Sequence, residues 1–252
     1  LQQWEDSLAR FLAAEKAATP GHPELLDHLA VWFMDHGWSL KALHRYILLS
    51  HTYQQRSDPE GPGDRGGFEQ GELVDPNNTL LWRMNRQRLD FESMRDTLLA
   101  LGGKLDLADR GGPSDQDLNS SERRTVYGFV DRARIADSLR IFDFANPDIS
   151  TGQRNHTIVP QQALFMMNHP FVMEQAQSAA QRLLAEKFPD DETRVDRAVR
   201  LALGRAPSDG ERKIAARFLP AESAGLAPAA RTEGWARFFQ SLFASIDFRY
   251  VE

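Results

Sequence analysis

Arg88, Glu92, Arg95 and Asp96 lie within nine residues of one another and are the side chains in this sequence best placed to do chemistry together. On one continuous helix, Glu92 would stand four residues after Arg88 and three before Arg95, so one carboxylate could meet both guanidinium groups. Arginine suits such a site because its planar donor fork pairs bidentately with oxyanions and never neutralises. Two readings follow. In one, the cluster is a semi-buried ion network that fixes neighbouring loops. In the other, Arg88 and Arg95 hold a carboxylate, sulfate or phosphate group, and Glu92 or Asp96 acts as acid or base.

A second polar stretch, Phe142 to Thr157, supplies Asp143 and Asp148 as a possible acid/base pair, with Arg154 or His156 to stabilise an anion. The plainer reading is that these residues bond their own backbone in turns and caps. Arg123, Arg124, Arg132, Arg134 and Arg140 surround Tyr127 and Phe129, an interleaving that can track single-stranded nucleic acid. Glu122, Asp131 and Asp137 dilute that charge, so a mixed solvated surface is the expectation there. The seven histidines show no HExxH spacing, and no Gly-x-Ser-x-Gly motif or phosphate-binding glycine loop is present. No metal site is expected.

The elements that must position these groups read as helices. The apolar spacing of Leu81, Trp82, Met84, Leu89, Phe91, Leu98 and Leu99 predicts one helix from about Asn78 to Leu101. Arg88, Glu92, Arg95 and Asp96 then fall within roughly 100° of its apolar arc, where a solvated helix would carry no charge. Before it, helices are predicted near 3–18, from Pro23 to Gly37, and from a Ser39 cap onward. Residues 57–75, rich in glycine and proline, are expected to form a long mobile loop, and 102–120 a polar connection. Thr125 to Val130 is the one convincing strand candidate. After it come a helix capped by Thr157 with Pro160 in its first turn, another from Pro170, and one from Arg194 to Leu203. The last two are a helix opened by a Ser208–Glu211 capping box and, after a linker at 220–230, one from Trp235 to Ile246. The expected fold is all-α or mainly α: an irregular multi-helix bundle with at most a small β element near 125–130. It is read as a single domain over 1–252.

Composition narrows the function classes. The 252 residues are 41% hydrophobic and 26% charged, which excludes wholesale disorder. Thirty Lys+Arg against 36 Asp+Glu argues against a general nucleic-acid binder. No apolar run approaches the length of a membrane span. The absence of cysteine removes thiol catalysis, Cys-ligated zinc and a CxxCH haem attachment, so no cofactor is expected in this chain. Its first residue is Leu1 and helical spacing begins at once, which reads as a piece of a longer protein.

Several stretches taken together resemble a known family. They are Asp75 to Leu89 continuing to Glu92, Arg95 and Asp96; His22 to Asp27; Gly37 to Lys41; and Ser50 to Gln55. Gly111 to Ser114, Arg123 to Tyr127, Phe142-Asp143, Pro160 to Asn168 and Leu203 to Pro207 complete the set. Their order is similar to that of the planctomycete-specific C-terminal domain of unknown function, the PSD-one family, over about residues 20–252. Gly21, where the family usually has Thr, and Gln87 in an arginine-rich run depart from it. The resemblance implies a large extracytoplasmic bacterial envelope protein in which this domain follows a partner domain, often with a cytochrome-c-like module upstream. It carries no established activity. The expected role is therefore accessory, with upstream domains of the same polypeptide as partners, and no nucleic acid. The alternative is binding or hydrolysis of a sulfated or carboxylated glycan, with Arg88, Arg95 and Arg154 as ligand-binding residues and Glu92, Asp96 and Asp143 as candidate catalytic groups.

Overall fold

The computed structural model describes residues 21–59, 65–112, 114–152, 154–219 and 227–251. The helix expected over 3–18 lies outside them, as does most of the linker expected at 220–230. The described chain is mainly α, with two two-residue strands, β1 (Gln87–Arg88) and β2 (Tyr250–Val251), forming one small sheet. It divides into two compact units, one ending at Gln87 and one running from Arg88 to Val251, where the sequence suggested a single body.

In the first unit, α1 (Pro23–Asp35) starts with proline in its first turn, where the missing N–H leaves no helical bond unmade. The chain reverses through Gly37 and Trp38, both at positive φ, and Ser39 Oγ accepts from Ala42 N–H to cap α2 (Leu40–Leu48). Trp32 stacks between Tyr46 at 4.6 Å and His36 at 3.8 Å between centroids. Part of the expected loop at 57–75 is instead a helix, α3 (Arg65–Val74). One of its glycines is required by proximity: a Cβ on Gly71 would fall 2.7 Å from the Trp82 ring. Phe68 meets that ring edge-on at 5.4 Å.

The expected helix from Asn78 to Leu101 is corrected most. Residues 78–90 are not helical. Asp75 accepts from the backbone of Thr79 and Leu80 and from the Thr79 hydroxyl, and these bonds hold its carboxyl below the usual range. Asn78 (φ 53°) and Leu81 (φ 55°) adopt left-handed conformations that no helix continues through. Asn78 bonds Arg83 through both ends of its amide, tying the turn. The helix proper, α4 (Phe91–Gly102), begins after Asp90, whose side chain accepts from Ser93 N–H. It ends at Gly103, at φ 73°.

The second unit contains every buried hydrophobic side chain among the described residues. Its centre is α7 (Pro170–Ala185), packed against α4 and α10 (Pro228–Ala244). Ala176, Ala179 and Ala180 give α7 a thin face on which Met94 and Leu98 of α4 and Trp235, Phe239 and Phe243 of α10 close. Short α5 (Asp137–Ile141), α6 (Pro160–Asn168), α8 (Asp191–Leu203) and α9 (Asp209–Phe218) complete it. The predicted capping box is present in both directions between Ser208 and Glu211. Three local expectations fail. Thr157 does not cap α6, whose N-cap is Val159, and α10 starts at Pro228, seven residues before the expected Trp235. Thr125–Tyr127 is a 3-10 turn rather than a strand, since its backbone closes locally through Gly128 N–H to Thr125 O. Only isolated bridges, Asp115 with Gly128 and Asp106 with Arg123, give this region β character.

Candidate functional site

All six candidate residues lie in the second unit. Because α4 begins only at Phe91, Arg88 is not on the same helix as Glu92, and the expected triad of Arg88, Glu92 and Arg95 does not form. Three separate arginine centres replace it.

The first is Arg95. Its side chain is 1% exposed, with the guanidinium over the Phe171 ring at 5.4 Å. All of its nitrogens donate. Nε and Nη2 reach Leu118 O at 2.9 and 2.5 Å, Nη1 reaches Arg123 O and Thr125 Oγ1 at 3.1 Å each, and Nη2 also bonds Ser121 O. Thr125 Oγ1 donates a hydrogen bond to Asp96 Oδ1 at 2.7 Å, and the same carboxylate oxygen accepts Thr125 N–H at 2.7 Å. Arg124 Nε reaches the other Asp96 oxygen at 3.2 Å. Burial lowers the Arg95 pKa from its ordinary value, opposed by Asp96, Asp115 and Asp117. The chemistry of the centre is structural: a buried cation neutralises the carbonyl oxygens of a loop that has no regular ladder to receive them.

Arg88 is the second centre, with a side chain 10% exposed. It donates to Thr157 O at 2.5 Å and Gln162 Oε1 at 2.6 Å, with Asp143 at 3.9 Å. Asp143 sits at φ 61°, a conformation that acidic residues tolerate better than most. There its carboxylate accepts Thr157 N–H at 2.8 Å and Thr157 Oγ1 at 2.6 Å. Gln162 is fully buried and sends Nε2 to Ile141 O at 2.9 Å and Thr157 O at 3.2 Å. The network joins α5, α6 and the stretch between them.

The third centre is Glu92 with Arg154, two parallel bonds of 2.8 and 2.9 Å, with Asp90 at 3.9 Å. The guanidinium lies 4.9 Å from the Phe144 ring centroid. Those bonds to Glu92 raise the Arg154 pKa. This pair is the most open of the three, its side chains 34% and 21% exposed.

The structure therefore brings Arg88 together with Asp143, Arg95 with Asp96, and Arg154 with Glu92, as separate pairs. Asp148 and His156 join none of these pairs. Sequence reasoning missed Gln162, Thr125 and Thr157, the neutral relays that connect the charges. Gln162 carried no distinguishing signal: its helix also holds Gln161 and Asn168, and it buries Gln162 and Met166 while Leu164 and Met167 face outward. Among the described residues no group of three or more His, Asp or Glu is placed to hold a metal ion, and no helix is long and apolar enough to cross a membrane.

No curated protein and no solved structure matches the chain. A family pattern does, over residues 14–219, which takes in Arg88, Arg95, Asp143, Arg154 and the segments they tie together. The chain belongs to the PSD1 family, described as protein of unknown function (DUF1553).

Proposed function

We propose that the chain is an accessory, partner-binding helical domain of a large bacterial envelope protein. It works outside the cytoplasm and packs on upstream domains of the same polypeptide, with a cytochrome-c-like module among its neighbours. The observation that carries this reading is the commitment of the candidate catalytic groups. Glu92 is held by Arg154, Asp96 by Thr125 and Arg124, and Asp143 by Thr157, while Arg88 and Arg95 are turned onto protein oxygens. A general acid or nucleophile needs an open approach to a substrate atom within hydrogen-bond reach. An alternative in which Arg88 and Arg95 clamp an acidic glycan for hydrolysis by these carboxylates draws no support from such contacts. The planctomycete and envelope setting rests on the family resemblance.

Apolar side chains on the first unit give such a domain something to bind with. Leu26, Trp38, Leu40 and Leu49 are each more than half exposed in the hairpin of α1 and α2. The test is sedimentation of this chain mixed with the separately expressed upstream region. A 1:1 complex weakened by Trp38→Ala is expected. Independent sedimentation of the two, together with turnover of an acidic glycan by the chain alone, would contradict the reading.

A further inference from the structure

An open groove of about 660 Å³ lies in the second unit beside the Glu92–Arg154 pair, whose Arg154 packs on the Phe144 ring that also lines the groove, and its volume is within the range of about 300–1,000 Å³ usual for ligand sites. Arg132, Arg134 and Arg140 line it with Asp137, Asp148 and Phe144. Three arginines against two aspartates leave one positive charge in excess, in a chain whose net charge is −6.

The pairing within the groove makes that excess available. Arg140 Nη2 is bonded to Asp137 at 2.7 Å. Arg132 and Arg134 have no ion-pair or side-chain hydrogen-bond partner among the described residues, although Asp131 is their immediate neighbour. Asp131 is occupied otherwise: its Oδ1 accepts Ala133 N–H at 2.9 Å and its carbonyl accepts Arg134 N–H at 3.2 Å. Both guanidinium-bearing residues line the groove, and neither forms an ion pair with Asp131 among the described residues. Several other arginines of the second unit, Arg123, Arg154, Arg205 and Arg212 among them, have a carboxylate within about 3 Å.

We propose that the Arg132–Arg134–Arg140 groove binds an acidic saccharide, its sulfate or carboxylate on the Arg132 and Arg134 forks and its sugar ring against the Phe144 side. Guanidinium forks match oxyanions bidentately, and an aromatic ring beside them suits the apolar face of a sugar better than the open backbone of an extended polyphosphate. The site differs from the Arg88, Arg95 and Arg154 positions named from the sequence. It also stands independently of the accessory role, since a domain that docks on a partner through its first unit keeps this groove.

The test is calorimetric titration at physiological salt with a sulfated oligosaccharide, a uronate oligosaccharide, a neutral oligosaccharide of equal length and single-stranded DNA. Binding of at least one acidic saccharide is expected, weakened about tenfold or more by the double variant Arg132→Gln/Arg134→Gln. The double variant Lys213→Gln/Arg217→Gln removes the same charge from another exposed face and is expected to change affinity less than about twofold. Absence of binding to both acidic saccharides would overturn the proposal. So would an equal loss in the control variant, or DNA binding as tight as the saccharide, which would mark non-specific attraction. Circular dichroism confirms that each variant is folded.

Discussion

Arg95 and Glu92 stand three residues apart on α4, yet their substitution should have very different consequences. Arg95 directs every donor to Leu118, Ser121, Arg123 or Thr125 in the buried interior. Arg95→Ala would strand several carbonyl oxygens at once, at about 1–3 kcal/mol for each one left unpaired. A loss of about 3–5 kcal/mol is expected in urea denaturation. Arg95→Lys is expected to recover little of it, because an ammonium cannot reproduce the fork. The Glu92–Arg154 pair is partly in water, where even a bidentate bridge contributes little. Glu92→Ala is expected to cost about 1 kcal/mol, and a loss as large as that of Arg95→Ala would show the pair to be far better shielded than its exposure indicates. The pH dependence comes from elsewhere. Bonds from Arg205, supported by Ser208 N–H, hold Glu211 down at about 2, against an ordinary value of 4.5. A carboxyl more acidic in the folded state stabilises that state above its unfolded pKa and loses this contribution as pH falls toward its folded one. Stability should therefore decline from about pH 4.5 toward 2, and Glu211→Gln should flatten that decline, read from urea midpoints across the range.

Among the elements, the region from Asp75 to Gly103 shows what was legible and why the rest was not. Leu98, Leu99, Phe91 and the glycine stop marked the second half of the helix, and its core face is where the spacing put it. In the first half, Leu81, Trp82, Met84 and Leu89 fall at helical intervals by coincidence. The decisive signals were Asp75 and Asn78, whose short polar side chains bond nearby backbone and stabilise turns instead. Asp90 then restarts the helix as its cap. Arg95 with Asp96 survived as a charged pair because both lie on the true helix, whereas the link to Arg88 fails because Arg88 lies on β1, before the helix begins at Phe91. In α3 the error had the opposite sign: Gly71, which in isolation signals a loop, is a helical glycine beside the Trp82 indole ring. Gly71→Ala tests this. Helix propensity alone would favour it by about 1 kcal/mol. The Trp82 ring in the way makes a net loss of about 1–2 kcal/mol the expected outcome, measured as faster amide exchange in α3.

At the scale of the whole molecule, the two units differ in what holds them. The described part of the first buries only Ser57, Asp75 and Asn78, whereas the second holds a continuous core from Phe91 to Phe248. Amides of α1 and α2 are therefore expected to exchange well before those of α7 and α10, since few buried contacts oppose their local opening. Within the second unit, the described residues of 104–124 contain no helix, and Arg95 reaches into them from α4 to bond Leu118, Ser121 and Arg123 carbonyls. Hydrogen exchange of the whole chain carrying Arg95→Ala, compared with the unmodified chain, tests that dependence directly. The account expects the amides of Asp115, Tyr127 and Phe129, which close the bonds of this region, to lose protection by more than about tenfold beyond the loss in α7 and α10. Unchanged protection there, with the rest of the fold intact, would contradict the conclusion that Arg95 holds these loops.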